Sequence, residues 1–160
     1  MLRRSLLALA ILAVLPATSL ADPFTAYGPQ FGFSSGPDQF VVGGHLKWGG
    51  VAPQMDFVPS VDLAFGDNAT VVSLNGDFHY RLQTKTQWRP YLGGGIGLHF
   101  VSVSDQGSSR DNSDTVAGGQ FIAGADVVAK SGSRFFTELK LGFSDSPDMK
   151  VMAGFNFSAH

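Results

Sequence analysis

The chain alternates. From Val72 onward one set of side chains reads Val72, Leu74, Gly76, Phe78, Tyr80 and Leu82, and the interleaved set reads Ser73, Asn75, Asp77, His79 and Arg81. The same two-residue period sets Met55, Phe57, Val61, Leu63 and Phe65 against Asp56, Ser60 and Asp62. It sets Phe40, Val42, Leu46 and Trp48 against His45 and Lys47, and Phe135, Thr137, Leu139, Leu141 and Phe143 against Glu138 and Lys140. Near the C-terminus Val151, Ala153, Phe155 and Phe157 oppose Lys150, Gly154 and Asn156. A period of two places successive side chains on opposite faces of a strand. Eight such segments are predicted, at 25–34, 39–50, 54–66, 69–83, 88–104, 115–130, 134–144 and 148–157. Connections such as SSGPD (34–38), GDNA (66–69) and SDSPD (144–148) carry the Gly, Pro, Asn, Asp and Ser of turns. No long stretch carries a helical period. The prediction is all-β: an eight-stranded antiparallel up-and-down barrel.

Which face points outward is decided by what each face lacks. A soluble barrel carries many Lys and Glu outside, whereas this polar face is mostly Gly, Ser, Ala and isolated charges. The bulky face is nearly free of charge in every strand, as lipid contact requires. Charged residues make up 15% of the chain, well below the about 25% of soluble proteins. Past Ala21 no apolar run is long enough for a membrane-spanning helix. Both features fit a transmembrane β-barrel, in which only alternate residues must be apolar. Pro59 lies on the bulky face inside a strand and offers no N–H to the ladder, which predicts a bulge there.

The N-terminus reads as an export signal. Arg3 and Arg4 precede an apolar run from Leu6 to Leu15, then Pro16 and the small residues ending in Ser19-Leu20-Ala21. Cleavage is expected after Ala21, dividing the chain into a signal peptide (1–21) and a barrel domain (22–160). The absence of cysteine excludes disulfides, a thiolate metal site and a lipid-modified cysteine. Without Arg3 and Arg4, 9 of the 11 basic residues stand against 13 acidic ones, a balance that gives no reason to expect nucleic-acid binding.

An even number of strands puts both termini on one side, assigned to the periplasm. Connections 34–38, 66–69, 104–115 and 144–148 then face outward, and 50–53, 82–87 and 130–133 face the periplasm. Tyr27, Trp48, Tyr80, Trp88 and Tyr91 all fall near the periplasmic rim, where an aromatic girdle is expected. Outward loops hold Asp38, Asp67, Asp105, Asp111, Asp114, Asp145 and Asp148 against Arg110, while the periplasmic side holds Lys85, Arg89, Lys130 and Arg134.

With "RPYLGGGIGLHF" as the fifth strand and "FFTELKLGFSDSPDMKVMAGFNF" as a closing hairpin, the chain resembles the small OmpA/OmpX-like outer-membrane barrels of Gram-negative bacteria. The resemblance covers about residues 24–157. It implies a monomer in the cell outer membrane, in contact with lipid and lipopolysaccharide, and inserted with the help of periplasmic chaperones and the barrel assembly machinery. Gly154, Phe155 and Phe157 resemble the C-terminal assembly signal of that family, although Ser158-Ala159-His160 follow the aromatic on which the family usually ends.

Candidate chemistry lies on the inward face. His45, Lys47, Asp56, Asp62, Asp77, His79, Arg81, Glu138 and Lys140 are expected to form a lumenal network of ion pairs and hydrogen bonds, because buried charges need partners. An eight-stranded barrel is just wide enough to be filled by side chains, so a plugged interior is expected. In "YLGGGIGLHF" the odd positions Tyr91, Gly93, Gly95, Gly97 and His99 point inward, and the glycines are expected to make room for side chains such as Arg81 or Lys140. His45, His79 and His99 share this face, but His79 and His99 differ in height by roughly 20 Å at about 3.3 Å per residue. A three-histidine metal site is therefore not expected, nor is any cofactor. His99 and Ser102 lie on opposite faces and no G-x-S-x-G elbow is present, which argues against a lipid hydrolase. The loop Asp105, Asp111, Asp114 lacks the acidic spacing of an EF-hand. The expected role is structural or surface-interacting. The alternatives are a narrow channel for small hydrophilic solutes and, third, a lipid-modifying enzyme.

Overall fold

The computed structural model describes residues 24–36, 38–66, 69–103, 112–129 and 134–159. The expected signal peptide (1–21) and most of the 104–115 loop lie outside the described residues. Eight strands follow one another: β1 (Phe24–Ser35), β2 (Gln39–Ala52), β3 (Met55–Gly66), β4 (Ala69–Arg81), β5 (Trp88–Val103), β6 (Asn112–Val128), β7 (Arg134–Ser144) and β8 (Met149–Ser158). Each pairs antiparallel with its sequence neighbour, and β1 pairs with β8 to close the barrel. Closure leaves no unpaired edge, which hydrocarbon would not tolerate. Both termini lie at one end, here the termini end; the opposite end is the loop end.

The alternation seen in the sequence becomes inside and outside. Gln30, His45, Asp62, Asn75, Asp77, Gln120, Glu138 and Lys140 are buried, while Phe33, Ile96, Phe121 and Phe143 are exposed. Ile96 is 71% exposed and Phe121 67%. Water would oppose such an exterior, and lipid favours it. Strand ends depart from the pattern where backbone pairing outlasts it. β6 begins at Asn112 and not 115, because Asn112, Ser113 and Asp114 continue the ladder opposite Val103, Ser102 and Val101. These polar residues carry no alternation to read.

Pro59 does not produce the expected bulge. The β3–β4 register runs unbroken from Met55↔Tyr80 to Gly66↔Ala69, with Pro59 facing Gly76. On the other side the β2–β3 register is the same at His45↔Ser60 and at Trp48↔Phe57, and its shift comes later, between Trp48 and Ala52. A proline can sit in a strand with one ladder bond missing and no extra residue inserted.

Candidate functional site: the lumen and its two mouths

The lumen is held by polar clusters stacked along the barrel. Asp77 on β4 accepts hydrogen bonds from Gln120 Nε2 (2.6 Å) and Lys140 Nζ (2.7 Å). Lys140 also pairs with Glu138 Oε1 at 3.2 Å, and Glu138 Oε2 accepts from the Tyr91 hydroxyl at 2.8 Å. Towards the loop end, Asp62 accepts from Gln30 Nε2 and, at 2.9 Å, from Asn75 Nδ2. Towards the termini end, Lys47 bonds Asp126 Oδ2 at 2.8 Å and lies 3.6 Å from Asp56. Asn156 links this cluster to His45, donating to Asp126 Oδ1 and meeting His45 Nε2 at 2.8 Å. Such pairs are retained in a dry interior only when their oxygens and protons are largely matched.

All nine residues predicted for this network occupy the inner wall, but in three neighbourhoods. Arg81 differs from the rest: its side chain is 46% exposed at the termini end, where it approaches Asp56 Oδ1 at 3.4 Å. His79 lies 3.9 Å from Glu138. Gln30, Asn75, Gln120, Asp126 and Asn156 were not singled out from the sequence. Strand parity alone would have found them, because each falls on the inward face of its strand.

Tyr91 is not part of an outer aromatic girdle. It is 2% exposed, inside the barrel, stacked on His79 with ring centroids 4.5 Å apart. Its odd position in β5 points inward, and Glu138 gives its hydroxyl a partner there. Tyr27, Trp48, Tyr80 and Trp88 do lie on the outer surface. Contacts Phe157–Tyr27, Tyr27–Phe24, Phe24–Trp48, Trp48–Phe57 and Phe57–Phe78 make a run of outer rings at the termini end. Phe155 and Phe157 point outward, and Gly154 is buried against Phe136.

The inward glycines of β5 serve a nearer neighbour than expected. A Cβ on Gly95 would strike Asp77 Oδ1 and lie 2.6 Å from the Gly76 carbonyl oxygen. On Gly97 it would lie 2.8 Å from Asn75 Oδ1 and 2.9 Å from the His99 ring. The space belongs to β4 side chains that lean onto the adjacent strand and, at Gly97, to the ring of His99 on β5 itself, and not to Arg81 or Lys140 reaching across the barrel. Strong coiling tilts inward side chains over their neighbours, so the strand beside them must be bare.

At the loop end the interior is closed differently. Val41, Ala64, Val71 and Met152 form a buried apolar layer, with Val101 against it. Ser146, from the β7–β8 connection, reaches inward to His99 Nε2 at 3.2 Å, and His99 Nδ1 meets Ser73 Oγ at 2.8 Å. Bare positions at Gly118 and Gly142 admit this connection, since a Cβ at either would meet Ser146. Among the polar side chains of the core, a pocket beside His79, Tyr91, Glu138 and Lys140 has a volume of about 10 Å³, near the ~10–15 Å³ that one water requires.

His79 is in register with Gly93, and His99 with Ser73, six positions along β4. Among the described residues no three His, Asp or Glu side chains are grouped to hold a metal ion.

No protein-family model matches the chain, and no curated protein matches it in sequence. Two solved structures are similar in shape. Neisserial surface protein A matches with a TM-score of 0.65 at 14% identity, over 83% of this chain and 94% of that one. The N-terminal β-barrel domain of Pseudomonas aeruginosa OprF matches with a TM-score of 0.58 at 16% identity, over 84% of this chain and 95% of that domain. Likeness at this level of identity is a likeness of architecture, and it agrees with strand number, closure and the apolar exterior: this chain has the fold of the small eight-stranded outer-membrane β-barrels.

Proposed function

We propose that the protein is an outer-membrane barrel with a structural and surface-presenting role, its lumen closed by its own side chains. On this reading the chain is exported, its signal peptide is cleaved after Ala21, and the termini end faces the periplasm. It works as a monomer in contact with outer-membrane lipid and lipopolysaccharide. Gly154, Phe155 and Phe157 on β8 would present the assembly machinery with an alternating aromatic edge. The single observation that carries the reading is the filled lumen: three stacked polar clusters around Asp62, Asp77 and Asp126, capped by the Val41–Met152 layer, with a pocket of about 10 Å³ among them. His99 is buried inside the wall between two serines and, among the described residues, has no hydrogen-bonded carboxylate, which supports packing over catalysis.

Planar-bilayer recording of the purified, folded protein tests the proposal. The expected result is a silent membrane; discrete, reproducible conductance steps would replace this reading with the narrow-channel one.

A further inference from the structure

The termini end of the barrel contains a second polar site, distinct from the core network. A cavity of about 110 Å³ opens there, several times the ~10–15 Å³ one water needs. Every strand contributes to its wall. Four cations reach it, Lys47, Arg81, Arg89 and Arg134, against two carboxylates, Asp56 and Asp126. Both carboxylates are already engaged. Asp126 is bonded through one oxygen to Lys47 and through the other to Asn156. Asp56 has Lys47 beside one oxygen and Arg81 beside the other.

Arg89 and Arg134 are thus left over. Arg89 stands opposite Asp126 in the β5–β6 ladder, yet the two form no ion pair. Arg134 stands opposite Val128 and Asn156. Among the described residues neither arginine has an acidic partner, whereas Lys140 deeper in the lumen touches both Asp77 and Glu138. Only β6 separates their strands, and both line the same cavity. The cavity's balance is two positive charges in excess, set in a concave, half-enclosed wall where field lines concentrate. Guanidinium groups present planar forks of donors that match tetrahedral oxyanions.

We propose that this vestibule binds a phosphate-class oxyanion, held between Arg89 and Arg134. The phosphate is either the headgroup of a lipid in the adjacent leaflet or a soluble phosphate ester entering from the periplasm. The site itself does not depend on the orientation proposed above; only the source of its ligand does.

The test is calorimetric titration of the folded protein, in non-ionic detergent at low ionic strength, with inorganic phosphate. One site is expected, weakened about tenfold or more in R89Q/R134Q, and unchanged within about twofold in K85Q, whose charge lies outside the cavity. Absence of binding to the unaltered protein, equal binding by R89Q/R134Q, or equal loss in K85Q would each overturn the site. A second measurement needs no variant. Phosphate should slow phenylglyoxal modification of Arg89 and Arg134 relative to Arg110, read by peptide mass, and equal rates with and without phosphate would also overturn it. In nanodiscs, competition by phosphatidylglycerol but not phosphatidylcholine supports the site and assigns a lipid headgroup as its source. Binding unaffected by either lipid supports it and assigns a soluble ester.

Discussion

Asp77 shows how one residue organises the interior. It is 1% exposed, takes donors from β6 and β7 across the lumen, and occupies the space that Gly95 leaves bare. Removing Asp77 leaves Gln120 without its acceptor and leaves Lys140 only Glu138 as a counter-charge. Asp77→Ala should cost about 3–5 kcal/mol in denaturant unfolding from vesicles, while Asp77→Ala combined with Lys140→Met should recover most of the loss. A double variant no more stable than the single one would show that the pair is not a coupled unit. The glycine row gives a directional expectation. Gly95→Leu drives a side chain into Asp77 and should destabilise by at least the ~1–3 kcal/mol of overpacking. Gly94→Leu points outward, where a Cβ meets only the Gln120 carbonyl oxygen at 3.4 Å, and should fold normally. The same unfolding measurement reads both, and equal costs would refute the face assignment in β5. Tyr91 marks a conflict between two local signals. Aromatic position along the chain suggested the rim, strand parity suggested the lumen, and parity prevailed because a register in a closed sheet fixes every side chain at once.

At the scale of the strand, β7 is the cleanest test of lipid exposure. Phe135, Leu139, Leu141 and Phe143 face outward while Phe136, Glu138 and Lys140 face inward. Leu139 sits mid-strand at 37% exposure, so Leu139→Arg should cost about 2–4 kcal/mol if it meets the bilayer centre. No measurable loss in vesicle unfolding would mean that the strand is not where lipid is thickest. Pro59 makes the opposite point. Its composition argued for a disruption, yet β3 keeps its register past it, because the other face of the strand still pairs fully with β4. The long β5–β6 pair extends beyond its hydrophobic pattern for the same reason: hydrogen bonding continues through Asn112–Asp114 without needing apolar side chains.

For the whole molecule, closure predicts cooperativity. With β1 paired to β8 no strand can peel away alone, and inward residues such as Asp77, Glu138 and Asp126 are tied to partners on other strands. The folded protein should therefore run as a compact species on unheated detergent gels and shift to the mobility of the unfolded mature chain only after boiling. Gradual loss of mobility across temperature, without two distinct bands, would be inconsistent with a closed barrel.

Strand number, facing and the membrane class of the fold were legible in the sequence, because a period of two needs no knowledge of the partner strand. Val72 to Leu82 and Phe135 to Phe143 declare their two faces by composition alone. Residue parity likewise placed His45, Asp77 and Lys140 inside. What parity could not say is which inward residues meet. That Asp77 takes Lys140 and Gln120, that Glu138 claims Tyr91 from the rim, and that Asp126 pairs with Lys47 and not with Arg89 opposite it depend on the stagger between strands. Stagger is set when the eighth strand closes on the first. Only at that point do residues far apart in sequence share one narrow, dry interior, where each charge must find its partner or remain available to another.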